Sequence, residues 1–101
     1  MKNNKIVAAF DVGGTLITMK EGPSDIMMKM VRALAADPNF EVVIWTAGDV
    51  VIAQKVRDNI GAENVRVMSK DDDLRPDIVF DDNDTYLIGK VNCLVIHEKG
   101  V

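Results

Sequence analysis

The sequence predicts an α/β fold, a mostly parallel sheet layered with helices, in a single domain over residues 1–101. Three observations predict it. Apolar runs of strand length alternate with segments of helical period in the order β-α-β-α-β-β-(short α)-β. Right-handed crossovers through such helices lay successive strands parallel in one sheet. A chain of 101 residues, 48% of them hydrophobic, is large enough for one layered core and too small for two.

The first strand is Ile6 to Phe10, a continuous apolar run that suits a central strand covered on both faces. It ends in Asp11-Val12-Gly13-Gly14-Thr15, where the glycines permit close backbone approach. Leu16 to Gly22 mixes polar and apolar residues and reads as a small flap. Pro23-Ser24-Asp25 opens a helix over 24–36 with Ile26, Met27, Met30, Val31 and Leu34 on its apolar face, and Asp37-Pro38-Asn39 stops it. The methionines on that face read as core packing, because Met fills irregular gaps.

Phe40 to Trp45 forms the second strand and ends in Thr46-Ala47-Gly48-Asp49. Asp49 is the expected N-cap of a helix over 50–60, with Ile52, Ala53, Val56 and Ile60 facing inward and Gly61 as its stop. The Thr46–Asp49 turn lies at a helix N-terminus, where unpaired N–H groups attract an anion such as phosphate; Asp49 mildly opposes this. Val65 to Met68 is a third strand near an edge. Asp77 to Phe80 is a fourth, ending in Asp81-Asp82-Asn83-Asp84, and only Ser69 to Asp77 joins the two, too little for a full crossover helix. Within that connection Asp71-Asp72-Asp73 reads as a solvated loop. A short helical turn is expected over 84–89 and a fifth strand over 91–96; His97 has no visible partner in the sequence and reads as strand-end structure.

The opening five residues and the short apolar run behind them are expected to be neither a signal peptide nor a membrane span. Cys93 cannot pair within the chain and sits in an apolar run, so it reads as a packing residue in a reducing, cytoplasmic setting. A net charge of −4, with no Lys/Arg cluster, gives no footprint for general nucleic-acid binding, though contact with a nucleic acid end is compatible with it.

Asp11, Thr46 and the Asp81-Asp82 pair all follow strands, and the carboxyl ends of parallel strands share one edge. Carboxylates meeting there repel unless a cation lies between them, and hard oxygen ligands of this kind suit Mg²⁺. A hydroxyl and helix N-terminal amides beside them suit phosphoryl oxygens. Lys70 is the expected balancing lysine; Lys55, on the second helix and away from the strand ends, is the weaker candidate.

In chain order, Ala8-Ala9-Phe10-Asp11-Val12-Gly13-Gly14-Thr15-Leu16, Val43-Ile44-Trp45-Thr46, Lys70 and Ile78-Val79-Phe80-Asp81-Asp82 resemble the four motifs of the haloacid dehalogenase superfamily, whose commonest members are Mg²⁺-dependent phosphatases. The resemblance spans Ile6 to Asp82. It implies a three-layer, Rossmann-like, five-stranded sheet with strand order 5-4-1-2-3. It also implies Asp11 as the nucleophile that forms an aspartyl-phosphate, with Thr46 and Lys70 completing the catalytic set. Thr46, Ala47, Lys70 and Gly14 would hold phosphate, and Asp11, Gly13, Asp81 and Asp82 would hold Mg²⁺.

Two departures shape the expected function. Many members insert a cap domain, whereas the residues between Thr15 and the second strand suffice only for a flap and one helix. The resemblance then implies an open site for a phosphorylated macromolecule, a nucleic acid end or a protein, or a site covered by a partner chain, and it is compatible with an oligomer. The other departure is Gly13, where the phosphatase pattern has its second aspartate, the general acid and base; its loss implies impaired turnover. The expected function is a phosphohydrolase working through an aspartyl-phosphate. The alternative is a non-catalytic phosphate- or metal-binding module acting through a partner. A receiver-type signalling domain fits less well, because its paired acidic residues after the first strand are missing.

Overall fold

The computed structural model describes residues 5–13, 15–18, 22–81 and 94–96. The elements are β1 (Ile6–Phe10), β2 (Ile17–Thr18), β3 (Gly22–Pro23), α1 (Asp25–Ala35), β4 (Phe40–Thr46), α2 (Val50–Ile60), β5 (Arg66–Ser69), β6 (Ile78–Phe80) and β7 (Leu94–Ile96). Strands β5-β4-β1-β6 form a parallel sheet, in the neighbour order expected for those four. Leu94–Ile96 adds to it by parallel backbone pairing with β6. Of the expected fifth strand, residues 91–93 lie outside the described residues, as do Cys93, His97 and the helical turn over 84–89.

Local chemistry sets most of the boundaries. The Ser24 hydroxyl accepts from the Met27 N–H at 3.2 Å and caps α1. The Asp49 carboxylate does the same for α2 through Val51 N–H at 2.8 Å, and Gly61 ends that helix with φ of 82°. The third strand lies one residue later than expected, at Arg66–Ser69, and the fourth begins at Ile78. Asp77 instead docks on the start of β1: its N–H donates to the Val7 carbonyl and its carboxylate accepts from the Val7 N–H, both at 2.8 Å.

Both helices pack on one face of the sheet. Met27 and Val31 of α1 and Ala53, Val56 and Ile60 of α2 share a core with Ala8, Phe10, Val42, Ile44 and Phe80. The opposite face carries Ala9, Val43, Trp45 and Val79, covered in part by Leu74 from the β5–β6 connection. The expected three layers are therefore two among the described residues. The physical reason is topological: β1, β4 and β5 advance in one direction, so right-handed crossovers put α1 and α2 on one side, while the return to β6 is too short for a helix.

The apolar face of α1 is also rotated from the expected one. Ile26 and Met30 are exposed, while Met28, Leu34 and Ala35 pack beside Met27 and Val31. The Ser24 N–H, bonded to the Leu16 carbonyl at 2.7 Å, pins the helix start to the loop after β1. On α2, Ile52 is likewise exposed. No helix of the described residues is long and apolar enough to cross a membrane. Among the described residues, the β2–β3 hairpin is the only element between β1 and α1. The result is a Rossmann-like α/β fold.

Candidate functional site

Register decides what meets at the carboxyl edge. Phe10 pairs with Ile44 on one side and Phe80 on the other, and Trp45 pairs with Met68. One residue beyond Phe10, Asp11 therefore falls between Trp45 and Asp81 in a single row across β4, β1 and the end of β6. Strand alternation puts that row on the face away from both helices. The Asp11 N–H donates to the Phe80 carbonyl at 2.9 Å, extending the β1–β6 ladder into the site.

Lys70 closes the row from above. Its N–H donates to the Thr46 carbonyl at 2.8 Å, which roots it beside the end of β4. From there its ammonium reaches across Trp45, with Nζ 5.5 Å from the ring centroid, to lie 2.9 Å from Asp11 Oδ1 and 3.0 Å from Asp81 Oδ2. The Asp81 side chain is 1% exposed, that of Lys70 9% and that of Asp11 12%, so these ion pairs are shielded from water and salt. Lys55, by contrast, is exposed on α2, whereas Lys70 lies against both carboxylates.

Burial pushes the Asp11 carboxyl up from 3.8 to about 6. The Lys70 hydrogen bond and charge pull it back, the Asp81 charge raises it, and the Val12 N–H lowers it. Desolvation thus outweighs the ammonium, and a second cation beside Asp11 would offset the remainder.

Thr46 is buried at the end of β4, and its hydroxyl accepts from the Gly48 N–H at 2.9 Å. That bond uses a lone pair and leaves the hydroxyl hydrogen for another acceptor, such as a phosphoryl oxygen. Ala47 is exposed in the same turn. The α2 N-terminus is partly spent on Asp49, whose carboxylate takes the Val51 N–H, so an anion there would meet a like charge. Gly13 is exposed, and a Cβ built on it meets nothing within 4 Å. Gly14 and Asp82 lie outside the described residues.

No group of three or more His, Cys, Asp or Glu residues that could hold a metal occurs among the described residues. Mg²⁺ commonly takes one or two carboxylates and completes its shell with water and other oxygens, so the adjacent carboxylates of Asp11 and Asp81 fit it.

Two features of the site were not legible in the motifs. One is the Trp45 ring beneath Lys70, which only strand alternation combined with the sheet register would have shown. The other is Thr15, 2% exposed, whose buried Oγ1 has no hydrogen-bond partner among the described residues. Compared with protein-family models, with curated proteins and with solved structures, the chain matches none of them.

Proposed function

We propose that this chain is a capless phosphohydrolase of the haloacid dehalogenase type, dependent on Mg²⁺ and working through an aspartyl-phosphate on Asp11. The observation that supports this most is the Lys70 ammonium held between Asp11 and Asp81, with the Thr46 hydroxyl at the end of the adjoining strand. Asp11, Asp81 and the Gly13 carbonyl would hold the ion, with Asp82 joining them on the strength of the sequence alone. When bound, Mg²⁺ supplies charge neutralisation of the phosphoryl group.

The chain's own residues do the rest. Asp11 is ionised above about pH 6 and attacks phosphorus, forming an O–P bond as the ester oxygen leaves. Lys70 and the Thr46 hydroxyl hold the phosphoryl oxygens, with Ala47 offering a backbone amide and Gly14 joining it on the strength of the sequence alone. Water then attacks the same phosphorus, releasing inorganic phosphate and restoring the Asp11 carboxylate. The substrate is a phosphomonoester, and the short β2–β3 hairpin in place of a cap favours one displayed on a nucleic acid end or a protein. A cytoplasmic setting goes with this reading.

Gly13 favours a second reading, a phosphate- or metal-binding module that acts through a partner. Glycine has no side chain to act as an acid/base group, and among the described residues nothing lies within 4 Å of where its Cβ would be. Mg²⁺-dependent phosphate release from p-nitrophenyl phosphate, compared between the parent and Asp11→Asn, decides between the two. Release by the parent alone supports the hydrolase; release by neither supports the binding module.

A further inference from the structure

We propose that Trp45 is the positioning residue for Lys70, its indole face holding the ammonium over the row so that it reaches both Asp11 and Asp81. Lys70 is rooted on the β5 side of β4, whereas the carboxylates it serves lie on β1 and β6, on the far side of β4. Its side chain therefore has to cross β4, and the residue at the crossing point is Trp45. A small side chain there would leave the lysine stem without a floor, and a polar one would compete for the ammonium.

The choice of tryptophan itself points the same way. Trp45 is 3% exposed and its buried Nε1 has no hydrogen-bond partner among the described residues, an arrangement that a buried Phe or Leu would avoid. What tryptophan offers beyond those residues is the strongest cation-binding ring face. With Nζ 5.5 Å from the centroid, within the usual limit of about 6 Å, that face is in use. The contact stands on geometry alone; only the kinetic arm of the test below rests on the phosphohydrolase reading.

Trp45 is the only tryptophan in the chain, so biosynthetic incorporation of mono-, di- and trifluorinated tryptophan changes this ring and no other. Fluorination weakens the negative ring face while nearly preserving shape, which separates cation binding from packing. The primary readout is the water-exchange rate of the Lys70 ammonium protons, followed by ¹⁵N NMR and assigned with Lys70→Met. We expect exchange to accelerate stepwise with fluorination, by roughly 2- to 30-fold across the series, as the strength of such contacts implies. Trp45→Phe should fall within the series and Trp45→Leu beyond it. With p-nitrophenyl phosphate and Mg²⁺, kcat should fall in the same order while KM changes less. Exchange rates that are the same across the fluorinated series overturn the proposal and leave Lys70 held by its polar partners, Asp11 and Asp81 among them. Should the parent release no phosphate, the phosphohydrolase reading fails while the exchange series still decides the role of Trp45.

Discussion

Phe10 and Phe80 stack face to face, with ring centroids 4.1 Å apart and planes at 0°, and each is followed in the chain by a carboxylate bound to Lys70. They are register partners on adjacent parallel strands and lie in the core beneath both helices. The β1–β6 ladder sets the spacing of Asp11 and Asp81, and the stack packs against that ladder from the opposite face of the sheet. Phe80→Ala should cost about 3–5 kcal/mol, read as a lowered urea midpoint, since it opens a cavity as well as losing apolar burial. A cost below about 1 kcal/mol would mean that neighbouring side chains close the gap and that the stack adds little to the core.

Asp11 should make the protein less stable at neutral pH than it is at acid pH. Its carboxyl titrates at 3.8 unfolded and about 6 folded, so between those values the folded state binds more protons. Stability from this group therefore falls as pH rises from 3.8 to about 6, and the cost, ~3 kcal/mol as an upper figure, is constant above that. Asp11→Asn removes this titration while Lys70 keeps Asp81. The variant should be more stable than the parent at pH 8 by on the order of 1–3 kcal/mol, with the difference shrinking toward pH 4, in urea denaturation across that range.

Metal binding should need Asp81 and tolerate Gly13, because glycine keeps the backbone carbonyl. Calorimetry should show Mg²⁺ binding by the parent and none by Asp81→Ala. Saturating Mg²⁺ should also move the Asp11 titration below its metal-free position near 6, since a nearby cation favours the charged form. Absence of binding by the parent would count against the phosphohydrolase and the metal-binding module together.

Position 13 is open to a side chain. Among the described residues nothing lies within 4 Å of where a Cβ would be, and Gly61 is the one glycine with positive φ. Gly13→Asp should fold normally and raise turnover roughly 10²–10⁴-fold, the usual contribution of a general acid/base. In the parent, aryl and acyl phosphates, which leave without a proton, should react far better than alkyl phosphates. Phosphorylated Asp11 should accumulate as an initial burst, because its hydrolysis needs a base to activate water. Rapid-quench measurements that find neither a burst nor a gain would remove position 13 from the chemistry.

Thr15→Val tests the buried hydroxyl. With Oγ1 unpartnered among the described residues, the substitution should be neutral or stabilising by ~1 kcal/mol in thermal or urea unfolding. Destabilisation would reveal a partner for the hydroxyl.

What the sequence determined by itself was set by local physics. Ser24 and Asp49 cap helices wherever those helices pack, Gly61 ends one through its own backbone freedom, and the apolar run Ile6–Phe10 has the length and pattern of a strand that stops at Asp11 and the turn behind it. The placement of Asp11, Thr46 and Asp81 at strand ends followed from those boundaries. Tertiary structure decided whatever depends on register or on which neighbour covers a face. Helical period allowed Ile26 and Met30 an inward place, but the anchoring of Ser24 to Leu16 goes with a helix face that leaves them exposed. Composition allowed Lys55 or Lys70, and only the path of the chain beyond β5 brought Lys70 to the carboxylates. Trp45 reads in sequence as one more apolar strand residue; the crossing of Lys70 over β4 gives it a charge to hold, and a crossing between strands distant in the chain is a property no local pattern carries.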